Sequence, residues 1–191
     1  IQYSNNKLLT GPVIDSRNHS EEITRGEVGS IFNILTVERA KQYQDLAMQS
    51  RLKIPLIFGL DVIHGMKTIF PIPMAEAASF NLELMKKTAS VAAAETSAHG
   101  IHWTFAPMVD ISRDARWGRS MEGAGEDPWY GSQIAKVRVE GFQGANYDGR
   151  NTVLACAKHF AAYGAAVAGK DYAEADISEH TLQQVYLPPF R

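Results

Sequence analysis

Short apolar runs alternate with segments of helical periodicity along this chain, and three of the runs end on polar or charged side chains. Val28 to Ile34, bounded by Gly26 and Thr36, reads as a strand. Thr36 can cap the helix that follows, where Val37, Ala40, Tyr43 and Ala47 recur at helical spacing. Pro55 to Leu60 is apolar throughout, as in a strand covered on both faces, and it ends at Asp61. Residues 62–80 form a long connection. Asn81 then caps a helix reaching Ala98, with Leu82, Met85, Ala89, Ala92 and Thr96 facing one way and Gly100 closing it. His102 to Ile111 is the third strand and carries Asp110 near its end. Asp127-Pro128 opens a helix with Tyr130, Ile134, Val137 and Gly141 inward, ending near Gly144. Val153 to Ala157 is the fourth strand and runs into Lys158-His159. Ser178 begins a last helix carrying Leu182, Val185 and Tyr186.

Strands that alternate with helices make parallel sheets with right-handed crossovers. Two architectures have that rhythm: an open doubly wound sheet, and part of an eight-stranded barrel. In both, ligands collect at the carboxyl ends of the strands, where Asp61, Asp110 and Lys158-His159 fall. A dinucleotide fold needs a Gly-rich first turn, but Ile34-Leu35-Thr36 has no glycine, and Gly123-Ala124-Gly125 lacks the third. The expected fold is therefore α/β, the amino-terminal half of a (β/α)8 TIM-type barrel: four parallel strands each followed by a helix, incomplete in this chain. Residues 1–24 are read as a polar lead-in with one short helix, and residues 25–191 as the partial barrel domain. A start at Ile1 and a stop at Pro188-Pro189-Phe190-Arg191 both read as cut ends, with the remaining strands expected on another segment.

The formal net charge of −2 argues against a dedicated nucleic-acid or anionic-membrane binder, and no apolar run approaches a membrane span. The single cysteine, Cys156, has no internal partner and is expected to be a small buried residue. The densest chemistry lies between Phe105 and Pro128. Asp114, Arg116, Arg119, Glu122, Glu126 and Asp127 mix both signs there around Trp117 and three glycines. Arg–carboxylate pairs make directional hydrogen bonds when partly desolvated, so this stretch is read as an ordered loop at the rim of a site. Lys158 and His159 are bulky donors at the end of an Ala-rich strand, which packing alone does not explain. His64 is more easily a loop support than a chemical group. His99, His102 and Glu95 make no four-ligand metal set, Glu179-His180 lacks a partner histidine, and no Gly-X-Ser-X-Gly elbow is present. A site built from Asp, Arg, Lys, His and Trp suits a polyhydroxylated ligand, because each hydroxyl both donates and accepts.

These motifs together resemble glycoside hydrolase family 3. The likeness rests on Trp117-Gly118-Arg119, Glu122 and Gly125-Glu126-Asp127, on Gly59-Leu60-Asp61-Val62-Ile63-His64-Gly65 with Phe70-Pro71, and on Ala157-Lys158-His159-Phe160. Val28 to Asn33 and Leu187 to Phe190 agree as well, and the run through Tyr163-Gly164 and Lys170 is most similar to the bacterial periplasmic β-glucosidases. The resemblance implies retaining release of terminal non-reducing β-D-glucose. Asp61, Arg119, Lys158 and His159 would bind the substrate sugar, with Glu122 orienting Arg119 and with Trp117 and His64 in support. A retaining mechanism uses two carboxyl groups roughly 5–5.5 Å apart. In the family the nucleophile lies on a later strand and the acid/base in the following domain, so both are expected beyond Arg191. By itself the chain is expected to bind sugar without hydrolysing it. Expected partners are β-linked glucosides or short oligosaccharides, the rest of the barrel and a following α/β domain, with no nucleic acid, membrane, metal or cofactor. The expected location is periplasmic or secreted. Alternatives are a non-catalytic carbohydrate-binding fragment and a β-N-acetylglucosaminidase-like or β-xylosidase-like member. Ala161-Ala162-Tyr163 after Phe160 argues against the N-acetylglucosaminide branch. Two departures from relatives are Ala115, where Pro is frequent, and Lys67, where close relatives have Arg.

Overall fold

A computed structural model describes residues 2–4, 19–146 and 149–191. Its sheet has four parallel strands in the order of the chain: β1 (Gln2–Ser4), β2 (Ser30–Phe32), β3 (Ile57–Leu60) and β4 (Trp103–Thr104). Registers pair Gln2 with Ser30, Ser30 with Ile57, and Gly59 with Trp103. The strand order never reverses among these four, so no switch point of the doubly wound kind occurs within the sheet.

Strand β1 falls in the segment read from sequence as lead-in, where polar residues offered no apolar run. The short helix expected there is α1 (Ser20–Arg25), closed by Gly26 in the left-handed region. Every predicted strand proves shorter than its apolar run. The fourth, Val153 to Ala157, is not a regular strand: only Leu154 and Lys158 form bridges, to Trp103 and Met108. The reason is in the register: Met108 lies five positions after Trp103 but Lys158 only four after Leu154, so the pairing slips by one residue and the ladder breaks between the bridges. The two segments nonetheless stay side by side, through Cys156 N–H to the Ala106 carbonyl, Lys158 N–H to the Pro107 carbonyl, and Val109 N–H to the Lys158 carbonyl at 2.7 Å.

The helices follow the capping signals closely. Helix α2 (Val37–Ala47) starts at Thr36, whose hydroxyl accepts from the Arg39 N–H. Ala40, Tyr43 and Ala47 are buried, whereas Val37, placed on the inward stripe by its spacing, is exposed. It stands in the first turn, beyond the reach of the sheet. The connection after β3 holds a one-turn helix, α3 (Pro73–Ala77). Helix α4 (Leu82–Ala98) is capped by Asn81, and α5 (Pro128–Gln143) by Asp127, whose carboxylate accepts from the Tyr130 N–H at 2.6 Å. The last helix is one turn, α6 (Glu179–Thr181), continuing in a wider turn through Tyr186.

Ile31, Ile34, Phe58, Val62, Ile101 and Phe142 form the centre of the core, with Ala89, Ala92 and Ala93 of α4 against them. Helices α4 and α5 touch at Gly141, where a side chain would meet the Lys86 carbonyl oxygen at 2.5 Å and the Ala89 methyl at 2.7 Å. Cys156 is half-buried rather than buried, since it lies on the irregular segment beside Ala106.

Candidate functional site

Strand β3 delivers Asp61 one residue past its end. The segment 153–158 delivers Lys158 and His159. The loop between β4 and α5 delivers Asp110, Arg119 and Glu122. All three converge at the carboxyl end of the sheet. Lys158 Nζ donates to Asp61 Oδ1 at 2.9 Å, across 97 residues of sequence. His159 meets the loop from the other side, with its Nε2 3.3 Å from Arg119 Nη1.

Glu122 grips Arg119 with both oxygens: Nε donates to Oε1 and Nη2 to Oε2, each at 2.7 Å. Such a fork holds the guanidinium plane and leaves its other edge for a ligand. Burial works against the Glu122 charge, but the Arg119 hydrogen bonds and the positive charges of Arg119 and Lys158 outweigh it and hold the carboxyl below its ordinary range. The same hydrogen bonds push the Arg119 guanidinium further up, so it stays charged. The ring of Tyr163 lies under Arg119, 5.5 Å from centroid to guanidinium carbon, and meets the His159 ring edge-on at 5.0 Å. Burial, and then Asp171, push the Tyr163 phenol above its ordinary value.

Trp117 is buried beneath this layer. Its indole N–H donates to Asp171 Oδ1 at 3.0 Å and its ring meets Tyr163 edge-on at 5.2 Å. It therefore ties the loop 160–172 to the loop 111–127. Gly164 makes that seat by close approach: a side chain there would collide with the Ile111 carbonyl oxygen and come within 3.2 Å of the Trp117 ring. Asp114 and Arg116 form an exposed pair at the loop's edge, where hydrogen bonds from Arg116 hold the Asp114 carboxyl down at about 2.

The structure thus brings together Asp61, Arg119, Lys158 and His159, with Glu122 beside Arg119 and Trp117 below. His64 stands apart, its Nδ1 donating to the Phe70 carbonyl at 2.9 Å and bracing its own loop. Sequence reading placed Asp110 at the right end of its strand but gave it no task. The structure gives it His159: Asp110 Oδ2 accepts from the His159 backbone N–H at 2.9 Å and from Nδ1 at 2.8 Å. Tyr163 entered the sequence reading only through the run shared with relatives, and neither it nor Asp171 was given a task, because their loop of Gly and Ala has no periodicity. Among the described residues no helix is long and apolar enough to cross a membrane.

A parallel α/β sheet with charged donors and acceptors gathered at its strand ends is the arrangement of an α/β domain that places a ligand site there. Residues 6–191 match the glycosyl hydrolase family 3 N-terminal domain, and the chain belongs to that family. It is similar to a periplasmic β-glucosidase of Salmonella typhimurium, 46% identical over 185 residues, 96% of this chain and 24% of that protein. A β-xylosidase of Formosa agariphila is 35% identical over 91% of this chain and 26% of its own length. Among solved structures, a β-glucosidase from Listeria innocua in complex with isofagomine superposes with a TM-score of 0.91 at 42% identity, covering 99% of this chain and 27% of that one. The chain spans about a quarter of the length of these relatives.

Proposed function

We propose that this chain supplies the sugar-binding side of a retaining β-glucosidase active site. Convergence carries the reading: Asp61, Arg119, Lys158 and His159, from three separate segments, form one linked cluster of donors and acceptors at the strand ends. Charge-assisted hydrogen bonds to hydroxyls hold a sugar there. The unreversed strand order supports a singly wound barrel, of which these strands form one arc.

The covalent step belongs elsewhere. A retaining enzyme needs a nucleophile and an acid/base. The carboxylates of the cluster already have partners: Asp61 holds Lys158, Asp110 holds His159, Glu122 holds Arg119 and Asp171 holds Trp117. The chain by itself then binds sugar and does not hydrolyse it. Glucosides are favoured over xylosides because identity to the Salmonella β-glucosidase exceeds that to the Formosa β-xylosidase. The former's name also supports a periplasmic location.

The test is a chimera in which this chain replaces the matching segment of the Salmonella enzyme. It should release nitrophenol from an aryl β-glucoside. Arg119→Lys, which loses the two-pronged grip of Glu122, should cost about ten- to a hundredfold in kcat/KM, as charged hydrogen bonds of ~1.5–3 kcal/mol imply. A folded chimera that is indifferent to substitutions at Asp61, Arg119 and Lys158 would defeat the reading.

A further inference from the structure

We infer that Asp110 is a positioning residue that fixes the ring of His159 as its Nδ1–H tautomer, so that Nε2 faces the site as a hydrogen-bond acceptor. The consequence for ligands rests on the sugar-binding reading above; the tautomer does not.

A carboxylate can only accept, so His159 Nδ1, 2.8 Å from Asp110 Oδ2, must carry the proton. The same oxygen accepts the His159 backbone N–H at 2.9 Å, which holds the ring and its own peptide against one fixed point. The Asp110 side chain is 1% exposed, and its other oxygen is buried without a hydrogen-bond partner. Its charge is therefore turned towards His159 rather than shared with solvent. At the far side of the ring Arg119 Nη1 lies 3.3 Å from Nε2. A guanidinium can only donate, so Nε2 must offer its lone pair. Both neighbours thus select one form. The reversed tautomer sets a lone pair against a carboxylate and an N–H against an N–H. A doubly protonated ring keeps the second of those clashes.

Ligand chemistry follows from this polarity. Lys158 and Arg119 donate, whereas Asp61 and His159 Nε2 accept. Arg119 already donates to Nε2, so a ligand donor must share or take that place. A hydroxyl can do so while accepting from Lys158 or Arg119, whereas an ether oxygen or a carboxylate has no proton to offer it. Asp110 does this from a buried position, out of contact with the ligand.

The test is long-range ¹⁵N–¹H NMR on histidine-labelled whole chain at about pH 8, where free imidazole is neutral. The His159 ring should show a protonated Nδ1 and an unprotonated Nε2. A ring protonated at Nε2 alone, or at both nitrogens, overturns the proposal without any variant. Asp110→Ala should move the ring towards the Nε2–H form, and Asp110→Asn, whose amide oxygen can still accept from Nδ1, should restore the parent signature. An unchanged ring in a folded Asp110→Ala protein also overturns it. In the Salmonella chimera, Asp110→Ala should lower kcat/KM at least about tenfold and Asp110→Asn should recover most of that loss, as a lost buried hydrogen bond implies. Glucose is added only after the tautomer is read. A shift of Nε2 then supports the sugar reading, and its absence counts against that reading while leaving the tautomer result standing.

Discussion

Arg138 shows how a single residue reaches the site without touching it. Its guanidinium is buried in α5, pairs with Glu76 of α3 at 2.6 Å, and donates from Nη2 to the Ile63 carbonyl at 2.6 Å. Ile63 lies two residues beyond Asp61, so this contact pins the exit of β3. Burial pulls the Arg138 charge down and Glu76 offsets it. Removing one partner of such a pair strands the other in a dry interior. Glu76→Ala should therefore lower stability by about 3–5 kcal/mol in urea unfolding, while replacing both by Met should cost less than either single change. Neither partner was legible as half of a pair in the sequence. Both look like ordinary charges on amphipathic helices, and only their burial at 62 residues' separation reveals the link.

Elements were more legible than pairs. Asn81 and Asp127 cap where their side chains and the following apolar stripes said they would, because capping is a contact within one turn. The α4–α5 contact is different, since it depends on Gly141 meeting a carbonyl on another helix. Gly141→Ala should destabilise by about 1–3 kcal/mol through overpacking, read as a lower thermal midpoint with unchanged helical content. His102 completes the start of β3, its Nδ1 accepting the Phe58 N–H at 3.0 Å. Loss of hydration lowers its pKa below the ordinary 6.5. The neutral ring is the folded form, so the unfolded chain takes up its proton first on acidification. Stability should fall as pH drops below about 6.5, and the fall should be smaller in His102→Asn, measured by denaturant titration at neutral and mildly acid pH. The strand errors share one cause. Apolar runs report burial, whereas a ladder needs N–H groups in register. The fourth run slips by one residue against its partner, so it lies in place without becoming a regular strand, and the polar β1 pairs without any run at all.

Across the whole molecule, the site is an agreement between distant segments: 61, 110–122 and 158–171. Ligand binding should therefore steady all of them together. Glucose at about ten times its dissociation constant should raise stability by about 1.4 kcal/mol, a rise of roughly 3–5 °C in the thermal midpoint for a chain of this size. Arg119→Ala should abolish that rise, and differential scanning fluorimetry with glucose and with a non-binding polyol measures both.

The amino-acid sequence alone determined the alternation of apolar runs and helices, the caps, and the end of the sheet at which Asp61, Lys158 and His159 emerge. It also carried the family motifs around Trp117, Arg119 and Glu122. Each of those depends on neighbours within a turn or a strand. Tertiary structure alone decided that Lys158 would answer Asp61, that Asp110 would take His159 and that Tyr163 would lie under Arg119. Those outcomes depend on which side chains reach one another after the sheet has twisted and the loops have packed, and no local pattern encodes that distance.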